Sequence, residues 1–125
     1  MSVNGLPPYD TNNIFARILR GEIPCKRVLE TPAALAFHDI APQAPTHILV
    51  IPKGPYVSAA DFNATATAEE VVGFWRAVGQ VAAPLEGSGY RLLANMGHDS
   101  GQEVPHFHVH VLGGRALGPM LVRPA

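Results

Sequence analysis

The stretch HFHVHVLGG, from His106 to Gly114, places three of the chain's six histidines at every second position. Side chains of a β-strand alternate between its two faces, so His106, His108 and His110 are predicted to share one face, with neighbouring rings starting ~6.6 Å apart. The apolar residues between and after them, Phe107, Val109 and Val111, are predicted to face the core. The sequence therefore predicts an amphipathic strand whose open face consists of imidazole rings.

Three explanations fit aligned imidazoles. The first is a solvated strand face that happens to be rich in histidine. The second is a zinc site, although three histidines on one straight strand converge poorly and no Cys or Asp/Glu cluster offers an obvious completing ligand. The third is catalysis, because neutral imidazole is a nucleophile near neutral pH. A central nucleophile with donors on both sides suits attack on phosphorus, which would form a phosphoramidate bond to His108.

The loop that leads into the histidines, NMGHDSGQEVP, is polar and contains two glycines. Such a loop can present backbone N–H groups to phosphate oxygens. Most loops of this composition are only turns, so its position directly before the histidines is what indicates a phosphate site.

Composition restricts the class of protein. The chain has 125 residues, which suits one domain, and its formal net charge of -1 provides no basic surface for nucleic acid. We find neither a signal peptide nor an apolar run of ~18 residues that could span a membrane. The single cysteine, Cys25, allows no internal disulfide and fits a reducing compartment. We expect a cytoplasmic protein that binds neither nucleic acid nor membranes.

The elements that would position the histidines indicate an α+β domain. A helix is predicted within residues 11–24, and strands follow at 26–30, 34–40 and 46–52. A second helix begins with the capping-box spacing of Thr67 and Glu70, and strands at 90–96 and 106–112 come last. Short connections favour antiparallel pairing. We therefore expect a single antiparallel sheet of about five strands with two helices over residues 11–125, after a loose N-terminal lead of residues 1–10.

The second predicted helix is apolar over roughly 200° of its circumference, well beyond the ~100° stripe of a surface helix. One sheet would leave part of that arc uncovered. We therefore expect a symmetric homodimer, with Trp75 and Val78 in its interface.

The pattern His-φ-His-φ-His-φ-φ, in which φ is apolar, resembles the signature of the histidine triad (HIT) superfamily of nucleotide hydrolases and transferases. The resemblance covers about residues 13–120. The stretches AFHDIAPQAPTHILVIPK and LGGRALGPML are similar to bacterial members of its Hint branch, the purine nucleoside phosphoramidases. It implies the HIT-like fold, with two sheets joined across a dimer, and no cofactor or metal. It also implies cleavage of the P–N bond of purine nucleoside 5′-phosphoramidates, of the AMP-amine or aminoacyl-AMP type.

The resemblance also implies roles for individual residues. His108 would attack the α-phosphorus and carry a covalent nucleotide, His110 would contact the phosphate and leaving group, and His106 and His47 would support the site. Asp39 would bind the ribose hydroxyls. The implied phosphate contacts are Asn95, Gly101, Gln102 and Glu103, and the implied base pocket is Phe15, Ile18, Ile23, Phe37, Ile40 and Leu49.

Simpler roles fit the same residues. On sequence alone, Asp39 could equally be a turn carboxylate, Asn95 a strand-end cap and the apolar residues part of the core. Glu103 and Pro105 depart from the commoner family pattern, in which Ser or Thr and a residue with a backbone N–H stand at these positions. Three other functions stay open: a Fhit-like dinucleoside polyphosphate hydrolase, against which LGGR argues, a nucleotide-binding regulatory module, and a zinc protein.

Overall fold

Five antiparallel strands form one sheet in the computed structural model, which describes residues 2–123. The strands are β1 (Arg27–Glu30), β2 (Ala34–His38), β3 (Thr46–Pro52), β4 (Tyr90–Leu93) and β5 (Val109–Gly113). Their order in the sheet is β1-β2-β3-β5-β4. The helices are α1 (Ile14–Leu19), α2 (Ala59–Thr65) and α3 (Ala68–Ala82). The predicted α+β class and antiparallel five-stranded sheet are confirmed.

The centre of the sheet is buried on both faces, which explains the almost continuous apolar runs of β2 and β3. On one face, Ala36 and Val50 pack with α2 and α3 through Phe62 and Phe74. On the other face α1 contributes Phe15 and Ile18, which pack on the strand residues Leu35, Phe37, Leu49 and Ile51. His110 pairs with Leu49 across β5 and β3 and therefore lies on the α1 side. The candidate site is thus built on the face that α1 covers.

Helix α3 begins with the predicted capping box, in which the Thr67 side chain accepts from the Glu70 N–H and the Glu70 side chain accepts from the Thr67 N–H. Its buried side contains Phe74 and Val78, and its outer side exposes Trp75. The expectation that Val78 lies in a dimer interface is wrong, because that side chain is only 2 % exposed within one chain. No helix within residues 2–123 is both long enough and apolar enough to cross a membrane.

Two elements differ from the sequence prediction. Helix α2 was not predicted: it has seven residues, too few for a helical period, and only Phe62 among them is buried. Strand β5 begins at Val109, so of the three aligned histidines only His110 lies in a regular strand. His106 and His108 belong to the segment that leads into it.

The N-terminal lead contains no helix or strand over residues 2–10, yet it makes defined contacts with the domain. The Val3 N–H donates to the Gln102 carbonyl at 2.8 Å, and the Ser58 hydroxyl donates to the Gly5 carbonyl at 2.7 Å. The Tyr9 hydroxyl lies 2.6 Å from Nδ1 of His106. The segment predicted to be loose is therefore hydrogen-bonded to the residues around the candidate site.

Candidate active site

The three aligned histidines do share one side of the sheet, but that side is not open. His106 is 0 % exposed and His108 is 8 % exposed, which contradicts the prediction of an open imidazole face. Two elements cover them: the Phe15 ring of α1 packs edge-on against His108, with centroids 5.0 Å apart, and Tyr9 packs against His106. The intervening Phe107, Val109 and Val111 belong to the core on the other face, as predicted.

His108 has a defined protonation state. Its Nδ1 lies 2.7 Å from the backbone carbonyl oxygen of His106, and a carbonyl can only accept, so Nδ1 carries the proton. Burial lowers the pKa of His108 from its ordinary value, which keeps the ring neutral at neutral pH. Nε2 therefore holds a free lone pair. His108 lines a cavity of about 310 Å³, and such a ring can act as a nucleophile there.

His110 and His47 form a hydrogen-bonded pair whose proton positions follow from the backbone. The Gln43 N–H donates to Nδ1 of His47 at 3.0 Å, so a neutral His47 carries its proton on Nε2. That Nε2 lies 2.9 Å from Nδ1 of His110, which therefore accepts. The proton of a neutral His110 is then on its own Nε2.

The Nε2–H group of His110 is buried and has no hydrogen-bond partner within residues 2–123. Burial, and next the neighbouring His108 and His47, lower the pKa of His110 to about 4. The His108 and His110 ring centroids are 5.0 Å apart. The unpaired Nε2–H of His110 thus lies beside the neutral His108 ring. An oxygen of a bound phosphate could accept from this N–H while His108 attacks the phosphorus.

Asp39 makes the turn contact that was one of its two possible roles, and its contact with the ribose hydroxyls stays a prediction. One carboxylate oxygen accepts from the Ala41 N–H at 2.8 Å, which is a turn contact. The other lies 3.4 Å from Nε2 of His47, at the edge of the site. Asp39 lines both the smaller cavity and a neighbouring one of about 730 Å³.

The sequence offered no obvious carboxylate to complete a metal site with the histidines. The structure corrects this expectation, because it places Asp39 beside two of them. One potential ligand atom each of Asp39, His47 and His110 lies within 4.8 Å of the others. The Gln43 N–H argues against ligation by this set, because it keeps Nδ1 of His47 unprotonated and so places the proton on Nε2, the nitrogen that faces the cluster. The arrangement fits a proton pathway better than a metal centre.

Some residues of the loop before the histidines line the smaller cavity, and the predicted binding of phosphate by this loop stays a prediction. Asn95, Gly101 and Glu103 line the cavity, and Gly101 adopts a positive φ of 78°. Gln102 does not line it, because its side chain turns inward and is 1 % exposed. Its amide nitrogen donates to the Val57 and Val104 carbonyls, and its amide oxygen accepts from the Gly97 N–H. Gln102 therefore shapes the loop from inside, and its side chain is not placed as a phosphate contact.

The apolar residues assigned to the base pocket separate into three groups. Phe15 and Leu49 line the smaller cavity. Ile18 and Phe37 are core residues, and Ile23 packs against the same cluster. Ile40 is 96 % exposed and lines the larger cavity, together with Pro24, Cys25, Lys26, His38, Asp39, Pro42, Pro45 and His47. The larger cavity, with an apolar rim and Asp39 where it meets the smaller one, has room for a nucleoside.

Sequence reasoning missed two contributors. The first is the backbone N–H of Gln43, which sets the proton position on His47 and carries no side-chain signature. The second is Tyr9, which was assigned to the loose lead because two prolines precede it. Ninety-seven positions separate Tyr9 from His106, so no local pattern could connect them.

Comparison with known proteins gives one family throughout. A model of the HIT domain matches residues 20–117. A 13.2 kDa HIT-like protein of Azospirillum brasilense is 66 % identical over 117 residues, covering 92 % of this chain and 96 % of that protein. The purine nucleoside phosphoramidase of Escherichia coli (strain K12) is 46 % identical over 111 residues, covering 86 % and 92 %. A HIT family hydrolase from Clostridium thermocellum superposes with a TM-score of 0.80 at 34 % identity, covering 89 % of this chain and 97 % of that one.

Proposed function

The chain belongs to the HIT domain family, and from that premise we propose that it hydrolyses the P–N bond of purine nucleoside 5′-phosphoramidates through a covalent nucleotidyl-histidine. One observation carries the proposal: Nε2 of His108 has a free lone pair, and the adjacent Nε2–H of His110 is buried without a partner in residues 2–123. A nucleophile and a donor at neighbouring positions match the two needs of attack on a phosphorus centre.

In the first step the α-phosphate occupies the smaller cavity and the nucleoside the larger one, with the ribose at Asp39. The Nε2 lone pair of His108 forms the new N–P bond, and the electrons of the substrate P–N bond go to the leaving nitrogen. His108 becomes cationic, with Nδ1–H still bonded to the His106 carbonyl. The leaving amine takes one proton.

His110 is the proposed source of that proton. In the free protein its pKa is about 4, but an anionic phosphate beside Nε2 would favour the protonated ring. A protonated His110 also carries a proton on Nδ1, so the Nε2–H of His47 then donates to the Asp39 carboxylate, which lies 3.4 Å from that nitrogen and compensates the added charge. After the amine leaves, His110 is neutral again. It then accepts a proton from the attacking water, the N–P bond to His108 breaks, and the nucleoside monophosphate is released.

The charge of the smaller cavity supports an amine as leaving group over a second nucleotide. Asp39 and Glu103 line it, and within the described part of the chain no lysine or arginine does. A leaving nucleotide is anionic and would be repelled by two carboxylates, whereas an amine would not. This favours the phosphoramidase over a dinucleoside polyphosphate hydrolase. Turnover of an adenosine phosphoramidate, a guanosine phosphoramidate and a diadenosine polyphosphate, compared under one condition, tests both the reaction and the base preference.

The nucleophile is tested by two substitutions of His108. His108→Ala should lower kcat by several orders of magnitude, because it removes the whole covalent pathway. His108→Gly should lower kcat to a similar extent. It should regain part of its activity when imidazole is added, since the added imidazole fits the space that the His108 ring leaves. Acid-labile, base-stable labelling of the wild type by substrate should be absent from both variants. His98→Ala, an exposed loop histidine, is the control. Retention of even about a tenth of wild-type kcat by His108→Ala would exclude His108 as the nucleophile.

The same turnover assay tests whether a divalent metal ion takes part in the reaction. The proposed pathway uses no divalent cation, so treatment with a chelator should leave turnover unchanged. Full inhibition by the chelator, reversed by added zinc, would instead favour a zinc enzyme.

A homodimer belongs to the same proposal. Val72 and Trp75 lie on the outer side of α3, at 56 % and 43 % exposure, and neighbouring copies of α3 could cover them. Val78, which is buried within one chain, is no longer part of the proposed interface.

A further inference from the structure

Tyr9 makes a direct hydrogen bond to the first of the three aligned histidines. Nε2 of His106 lies 2.8 Å from the Pro52 carbonyl, which can only accept, so Nε2 carries a proton. Burial lowers the pKa of His106 to about 4, so the ring is neutral and Nδ1 holds a lone pair. The Tyr9 hydroxyl, 2.6 Å away, therefore donates to Nδ1. The His106 ring is held at both nitrogens, by Tyr9 and by Pro52.

His106 in turn fixes the proposed nucleophile. Its backbone carbonyl accepts from Nδ1–H of His108 at 2.7 Å, and this contact leaves Nε2 of His108 unprotonated. The ring and the carbonyl of His106 belong to one residue, so motion of the ring disturbs the carbonyl. Tyr9 and His108 are thereby connected through a single buried residue.

The segment that carries Tyr9 is also attached to the loop of the smaller cavity. The Val3 N–H donates to the Gln102 carbonyl, and Gly5 packs so closely that a Cβ there would lie 2.9 Å from the Gln102 side-chain oxygen. The residues on either side of Gln102, Gly101 and Glu103, line the cavity. Residues 3–9 thus contact both the loop and the histidines.

We propose that Tyr9 is a positioning residue for the nucleophile: by fixing the His106 ring, it keeps His108 in the tautomer whose Nε2 can attack. Tyr9 does not touch the reacting atoms and acts through His106 alone. This inference rests on the proposed role of His108 in catalysis, but its spectroscopic test does not require turnover.

The kinetic test is Tyr9→Phe, which removes the hydroxyl and leaves Nδ1 of His106 buried without a donor. We expect kcat on an adenosine phosphoramidate to fall about tenfold, because part of the His108 population shifts to the unreactive tautomer. KM should change less than about twofold, because Tyr9 lines neither cavity.

The spectroscopic test is the tautomer of His108, read from two-bond ¹H–¹⁵N correlations of the imidazole nitrogens without substrate. In the wild type His108 should be protonated on Nδ1, whereas His47, His106 and His110 should be protonated on Nε2. In Tyr9→Phe the His108 pattern should become a mixture of both tautomers.

Tyr56→Phe is the matched control, because it also removes a tyrosine hydroxyl from a hydrogen bond, here to the Glu70 carboxylate 2.7 Å away. It should lower the melting temperature and leave both kcat and the His108 tautomer unchanged. An unchanged His108 pattern in Tyr9→Phe would overturn the inference whatever happens to kcat, and so would a mixed pattern with unchanged kcat. If the wild type does not turn over phosphoramidates at all, the proposed function fails, while the tautomer still decides whether Tyr9 positions His108.

Discussion

The burial of His106 predicts a specific dependence of stability on pH. In the unfolded chain His106 titrates near its ordinary value of about 6.5, and in the folded protein its pKa is about 4. Because the folded pKa is depressed, the unfolded state takes up a proton first as the pH falls. The stabilisation associated with the neutral ring is therefore complete above the unfolded pKa and is lost progressively as the pH falls towards about 4.

The size of the effect follows from these two values. At about pH 7 the ring is nearly neutral in both states, and at about pH 5 it is protonated in most unfolded molecules and in few folded ones. Integrating over this interval gives a loss of about 2 kcal/mol in the free energy of unfolding from His106 alone. His110, whose pKa is also lowered, contributes in the same direction.

The assay is urea denaturation at about pH 7 and about pH 5, applied to the wild type and to His106→Gln. Glutamine keeps an amide N–H for the Pro52 carbonyl but cannot titrate, so the variant should lose about 2 kcal/mol less than the wild type between the two pH values. The comparison isolates His106, because His110 titrates in both proteins. His98→Gln, at an exposed position, should retain the wild-type difference. Equal pH dependence in His106→Gln and the wild type would show that the buried ring does not carry this stability.

Three further predictions concern activity and assembly. The acid limb of kcat/KM should lie below the ordinary histidine pKa, because burial lowers the pKa of His108; a limb at or above about 6.5 would contradict a buried nucleophile. Glu103→Ser should lower kcat/KM about fivefold for a substrate with a cationic amine relative to a neutral one, and the difference should shrink at high salt; equal changes would leave Glu103 without a role in selectivity. Sedimentation at micromolar concentration should give a species of twice 13.3 kDa, and Trp75→Glu should shift it towards one chain; a 13.3 kDa wild type would exclude the dimer.

The sequence was sufficient to predict the sheet because each strand has its own local pattern of apolar residues and turn residues. The apolar runs of β2 and β3, bounded by prolines and polar turns, predict buried strands, and the capping box of Thr67 and Glu70 predicts the start of α3. Helix α2 lacks such a signal. Its seven residues bury only Phe62, and its Ser58 cap precedes no apolar period.

The sequence predicted that the three histidines share one side of the sheet, but it did not predict how deeply they are buried. Strand alternation correctly put three imidazoles on one side, but their exposure depends on what covers that side. The cover comes from Phe15 and Tyr9, which lie more than ninety positions earlier in the chain. The tautomers are likewise set by the backbone groups of Gln43, Pro52 and His106, whose positions only the folded chain defines.

The contacts of the N-terminal lead imply that some of its positions accept substitutions and others do not. At Val3 and Gly5 the contacts use backbone atoms, so many side chains at position 3 would preserve the bond to Gln102. Leu6 and Pro7 are exposed and make no side-chain contact that these hydrogen bonds require, so both positions can vary. Gly5 cannot, because its φ of 73° and its packing against Gln102 exclude a Cβ, and Tyr9 is fixed by its hydroxyl. In a randomised library of residues 3–9, selection for activity should therefore retain Gly5 and Tyr9 and leave positions 3, 6 and 7 variable.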